Sequence, residues 1–201
     1  LEVPVAAGPS DRFPGPGTTS ALRAIAHPLR LRILSLLTGA ELSAAEVARE
    51  LGVTQANASY HLRVLARAGE VVEAGEEKVR GGTAKKYCHP WERGQQTGPT
   101  SVRDREAFVR TVATELVRRH RLRAAGTPTL TADAELWVRP EVRDEVLDLM
   151  TRAVRLLHAE AEPPHTAGTL PVNVTAALFQ MADPAAADPG PRRAGEDVTG
   201  R

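Results

Sequence analysis

Between Pro28 and Pro90 the chain carries no proline, and its apolar residues recur at helical spacings. A short helix over Thr19–Ala26 should stop at His27, because a residue before proline disfavours helix. Pro28 in turn suits the first turn of the next helix. Leu29, Ile33, Leu36 and Leu37 share one face of that second helix, Arg30 and Arg32 turn away, and Gly39 ends it. Ser43-Ala44-Ala45-Glu46 has the form of a capping box, with Leu42 and Val47 placed as its hydrophobic staple. The helix opened there runs to Gly52. Thr54 then caps a fourth helix, Gln55–Ala68, so the pair reads as a helix-turn-helix.

Stepping about 100° per residue along the fourth helix separates its faces. Leu62 and Leu65 join Ala58 on the inward side, while Ala56, Tyr60, Arg63 and Arg67 point outward, flanked by Asn57 and Ser59. His61 falls at the core edge, where an orienting hydrogen bond is expected. Past Gly69, Val71–Glu73 and Thr83–Cys88 read as the strands of a hairpin, with Arg80-Gly81-Gly82 near its tip and Glu76-Glu77 in a turn.

A second unit follows the polar stretch Glu92–Thr100. Phe108, Val109, Val112, Leu116 and Val117 form the stripe of an amphipathic helix over 102–123. Val142, Val146, Leu149, Met150, Ala153, Val154 and Leu157 mark another, from Glu141 to Ala161, with acids at its start and Arg152, Arg155 and His158 near its end. Glu135–Arg139 before it and Val172–Ala176 after it alternate like strands, which predicts a strand-helix-strand element. The fold class is therefore mainly α with a small β part. The predicted organisation is a disordered tail at 1–17, a DNA-binding unit at 18–92, a linker at 93–100, a dimerisation and effector region at 101–182, and a second disordered tail at 183–201.

Composition sharpens this picture. Aromatics are only 3% of the chain, so Trp137, Phe179 and Met181 stand out as a candidate effector pocket, although core is the commoner role for such residues. The formal net charge of +1 names no partner, but the only three lysines, Lys78, Lys85 and Lys86, lie on the hairpin with Arg80 and no acid between them. Such a stretch suits a phosphate backbone, and it equally suits a solubilised sheet edge. One cysteine rules out an intramolecular disulfide framework. No apolar run approaches the ~18 residues of a membrane span, so a soluble, cytoplasmic, nucleoid-associated protein without membrane partners is expected.

No catalytic constellation is visible. None of the six histidines has the nucleophile and carboxylate company that covalent catalysis needs, and no glycine-rich phosphate loop follows a strand. The chain is not expected to be an enzyme or to hold a cofactor.

Four ordered blocks then carry a resemblance: His27-Pro28-Leu29-Arg30-Leu31-Arg32-Ile33-Leu34, Glu46–Val53, Thr54-Gln55-Ala56-Asn57-Ala58-Ser59-Tyr60-His61-Leu62-Arg63-Val64-Leu65, and Ala68-Gly69. Over roughly residues 18–90 the chain resembles the ArsR-type, arsenic-repressor-like winged-helix transcriptional regulators. The resemblance implies a homodimeric bacterial repressor whose grip on an inverted-repeat, double-stranded DNA operator is changed by an effector. It also implies that Gln55, Ala56, Ser59 and Tyr60 approach bases. With the outward face and the hairpin, the expected DNA-binding residues are Thr54, Gln55, Ala56, Asn57, Ser59, Tyr60, Arg63, Arg67, Lys78, Arg80, Lys85 and Lys86. Many metal-sensing members carry cysteine in the helix before the reader, whereas Glu46–Val53 has neither cysteine nor histidine, and others use Asp, His and Glu from a paired terminal helix. His120 is crowded by arginines, and Cys88-His89 is only an adjacent pair. No metal is expected, and a small organic effector is. The alternative is a winged-helix protein-interaction module that does not bind DNA.

Overall fold

The computed structural model describes residues 21–79, 82–93 and 101–182. The tails expected at 1–17 and 183–201, the start of the first helix at Thr19, most of the linker, and Arg80 with Gly81 lie outside the described residues. The chain runs through α1 (Ala21–Ile25), α2 (Pro28–Thr38), β1 (Leu42–Ser43), α3 (Ala44–Leu51) and α4 (Gln55–Arg67). It continues through β2 (Val72–Val79), β3 (Gly82–Cys88), a 3-10 turn (Trp91–Arg93), α5 (Val102–His120) and α6 (Pro140–Ala159). This is a winged helix-turn-helix unit followed by a helical region.

The helix boundaries are set by local chemistry. His27 caps α2, its Nδ1 accepting from the Leu29 amide at 3.2 Å, with Pro28 in the first turn. The capping box of α3 forms in full: the Ser43 hydroxyl accepts from Glu46 N–H, and the Glu46 carboxylate accepts from Ser43 N–H at 2.7 Å. Gly52 ends α3 at φ 65°, a left-handed conformation that a Cβ disfavours. Thr54 caps α4 by accepting from the Asn57 amide. These devices fix how α3 enters α4, and Ile33, Leu37, Val47, Leu62, Leu65 and Val71 close the core between α2, α3, α4 and the sheet.

The sheet has the order β1-β3-β2 and is antiparallel throughout. Leu42, expected only as a staple, also pairs with Tyr87, so a short strand covers the inner edge of the hairpin. A two-residue strand leaves too short a period to see in a sequence. Strand β2 runs on to Val79, beyond the three residues expected. Glu76 and Glu77 are therefore strand residues rather than turn residues, facing Lys85 and Ala84.

The second unit departs further from expectation. Only part of the α5 stripe turns inward: Phe108 packs against the core, whereas Val109, Leu116 and Val117 are exposed. The inward face is completed by a buried carboxylate, Glu115, paired with Arg118 at 2.8 Å and Arg119 at 3.7 Å. Arg119 also donates to Ser35 Oγ on α2, fastening α5 to the first unit. The predicted strand-helix-strand element does not form. Helix α6 is present, but Glu135–Arg139 and Val172–Ala176 form no strand. A strand needs an edge to pair with, and neither segment meets one among the described residues. Trp137, Phe179 and Met181 are correspondingly 86%, 75% and 51% exposed, so in the single chain they are neither core nor pocket. Among the described residues no helix is long and apolar enough to cross a membrane.

Candidate nucleic-acid interface

Helix α4 divides along its length as its sequence dictates. Ala58, His61, Leu62 and Leu65 are buried, which fixes the helix's rotation on the core. Rotation fixed, the opposite face is delivered to solvent: Gln55, Ala56, Asn57, Tyr60, Arg63 and Arg67 are exposed, Ser59 is partly covered, and Thr54 stands exposed at the cap. Amide, phenol and guanidinium groups along one exposed helix face supply both donors and acceptors for base edges in a major groove. The structure therefore brings eight of the expected residues onto one surface.

Beneath that face lies a polar cluster. The His61 ring sits 4.7 Å from His27 and 5.1 Å from Tyr60. The hydrogen bond expected to orient His61 is not made: its Nδ1 is buried without a partner, as is Nε of Arg30 on α2. Ring stacking orients it instead. Burial first, then the Arg30 charge, holds His27 below the usual imidazole range. Burial, His27 and Arg30, in that order, do the same for His61.

The hairpin looks different in space from its sequence. Lys85 Nζ meets Glu73 at 2.7 Å and Lys86 Nζ meets Glu77 at 3.4 Å, so carboxylates from β2 answer the lysines of β3. The Glu73 bond pushes the Lys85 pKa up. A stretch without acids along the chain is thus largely neutralised across the ladder, a pairing invisible until the register is known. Lys78, near the tip, is exposed and has no carboxylate within salt-bridge distance among the described residues. Arg80 lies outside them.

The residue that sequence reading passed over is His89, noted only as a neighbour of Cys88. Its backbone N–H donates to Leu37 O at the end of α2, and its Nδ1–H donates to Glu70 O, 2.6 Å away, at the turn that follows α4. One residue ties the exit of β3 to the end of α2 and to the turn after α4. Burial foremost, aided by His158, lowers its pKa against the opposing pull of the Glu70 carbonyl. No group of three or more His, Cys, Asp or Glu that could hold a metal comes together among the described residues.

Residues 25–72 match a helix-turn-helix domain family, a span that holds α2, α3, α4 and the reading face. A crystal structure described as a possible transcriptional regulatory protein (fragment 1–100) from Mycobacterium bovis is 22% identical, covering 49% of this chain and 87% of that one with a TM-score of 0.30. A likeness this distant carries no weight for function or assembly. No curated protein matches the chain. With the exposed polar face of α4, the helix-turn-helix match supports a DNA-binding regulatory function in general.

Proposed function

We propose that the chain is an ArsR-like, homodimeric, sequence-specific repressor that reads an inverted-repeat DNA operator and answers to a small organic effector rather than a metal. It is not an enzyme, and it works in the cytoplasm on the nucleoid. The observation that carries this reading is the face of α4: Gln55, Asn57, Tyr60, Arg63 and Arg67 are exposed while Ala58, Leu62 and Leu65 are sealed behind them. Twofold reading of a groove requires two such helices, and the outward residues Val109, Leu116 and Val117 of α5 offer apolar surface for a second copy. The experiment is selection of genomic fragments on the purified chain, followed by titration of the selected fragment and a scrambled one. Preference for the selected fragment, a dimeric mass by light scattering, and indifference to chelator or added zinc are expected. Equal affinity for both DNAs overturns the reading, and so does a monomeric mass with DNA binding intact.

The neutralised hairpin is the observation in favour of a second reading, a winged-helix protein-interaction module, because Lys85 and Lys86 are already partnered. The same titration separates the two: a module of that kind binds neither DNA.

A further inference from the structure

We propose that the cleft between the 3-10 turn and α6 binds a planar aromatic carboxylate, and that His89 couples its occupancy to the reading unit. The cleft has a volume of about 510 Å³, within the range of small-molecule sites of roughly 300–1,000 Å³. One wall carries His89 and Trp91, and the facing wall is the Met150, Val154 and His158 side of α6. The Trp91 and His158 rings stand 5.1 Å apart and tilted by 31°, a contact between two lining side chains. A flat ring fits such walls, since indole offers a π-face and the Met150 thioether packs well on aromatic edges.

The charge at the rim selects the polar end of the ligand. Arg143 and Arg152 on α6 are answered by Asp144 and Asp148, whereas Arg155, which lines the cleft, makes no salt bridge among the described residues. An unanswered guanidinium is a fork suited to a carboxylate. His89 spends its Nδ1–H on Glu70 O, and burial foremost lowers its pKa, so the guanidinium of Arg155 is the charge that meets an anion here. Glu92 is the one carboxylate among the lining residues.

The coupling follows from what His89 and α6 hold. His89 is bonded to the end of α2 and to the turn after α4, and Trp91 N–H donates to His89 O at 2.8 Å. The far wall is anchored too: a Cβ on Gly39, at the end of α2, would meet the Ala161 backbone just beyond α6 at 2.9 Å. A ligand that draws the walls together therefore pulls on both connections to the reading unit. The coupling rests on the DNA-binding reading above; the binding site itself does not.

Trp91 and Trp137 are the only tryptophans, so a full-length chain carrying Trp137→Phe reports on the cleft alone. Titrated with trans-cinnamate, its fluorescence should fall saturably. Arg155→Gln should weaken that binding at least tenfold, and Ala177→Phe, which fills the cleft from an exposed segment, should abolish it with the thermal melt unchanged. Cinnamylamine and cinnamyl alcohol share the ring and lack the anion, and both should bind at least tenfold more weakly. The site is overturned by unsaturable quenching, by quenching that both substitutions leave intact, or by an amine that binds as well as the acid. It is equally overturned if a Trp91→Phe chain shows saturable quenching at Trp137 instead. With the selected operator, cinnamate should shift DNA affinity several-fold. Unchanged DNA affinity at saturating cinnamate overturns the coupling and leaves the site, whereas a chain that binds cinnamate and no DNA strikes the functional reading alone.

Discussion

The two halves of this chain solve the problem of burying apolar surface differently. In the first, helices joined by very short connections have nowhere to pack but on each other, and every buried hydrophobic residue of the described core lies between Ala24 and Val71. In the second, Glu115 is the only buried residue among those described, and α6 has no buried residue along its 20-residue length. Yet α6 carries an apolar stripe as regular as that of α4. The difference teaches that periodicity specifies a face, while burial requires a partner within reach. Winged helix residues find theirs in the chain; Leu149, Leu157 and Trp137 do not.

Leu62→Ala should break the first half, costing about 2–5 kcal/mol in a urea melt through lost transfer energy and a residual cavity. Leu149→Ala on exposed α6 should change stability by no more than about 0.5 kcal/mol in a monomer. A concentration-dependent loss of several kcal/mol at Leu149 would mean that a second copy buries it, and the contrast between halves would then belong to the single chain only.

Gln55→Ala comes next in size. A well-made bidentate contact to adenine discriminates by about 1–3 kcal/mol, so preference for operator over scrambled DNA should fall by that amount while the salt dependence stays unchanged. Retained preference would move base reading elsewhere on the α4 face.

Ser43→Ala removes one arm of the capping box and should cost about 1 kcal/mol. The other arm gives a pH signature. Ser43 N–H, first among the causes, holds the Glu46 carboxyl below its usual range. The cap therefore stabilises fully above the unfolded pKa and is lost as pH falls through the lower folded value. Histidine acts earlier on the same descent. His27, His61 and His89 are all depressed in the fold, chiefly by burial. The unfolded chain therefore takes up protons first, and stability present above about pH 6.5 should fall below it. A urea midpoint that is the same at pH 7.5 and 5.5 would show these imidazoles to be charged in the folded protein.

The smallest expected effect is on the hairpin. Each neutralised phosphate contributes about −0.9 to the salt slope of DNA binding. Lys78→Ala should flatten the slope by about that much per wing. Lys85→Ala with Lys86→Ala should change it less than the two lysines would suggest, because Glu73 and Glu77 already hold them. A double substitution that flattens the slope by the full two contacts per wing would mean that DNA displaces both carboxylates.

Much of the first unit was legible because its signals are local. The cap at Ser43, the left-handed Gly52, the Thr54 start and the spacing of Ala58, Leu62 and Leu65 each act within one or two turns, so sequence alone determined the helices and which face of α4 is outward. Tertiary structure decided whatever depends on which strands and helices meet. The pairing of β1 with β3, the carboxylates set against Lys85 and Lys86, the stacking of His61 on His27, and the bridge made by His89 join residues far apart in the chain. The cleft between Trp91 and α6 belongs with them, because its walls are separated by a linker and a whole helix. Alternation at Glu135–Arg139 and Val172–Ala176 shows the converse limit: a strand is a relation between two segments, and one segment's pattern cannot supply the edge that its backbone must bond.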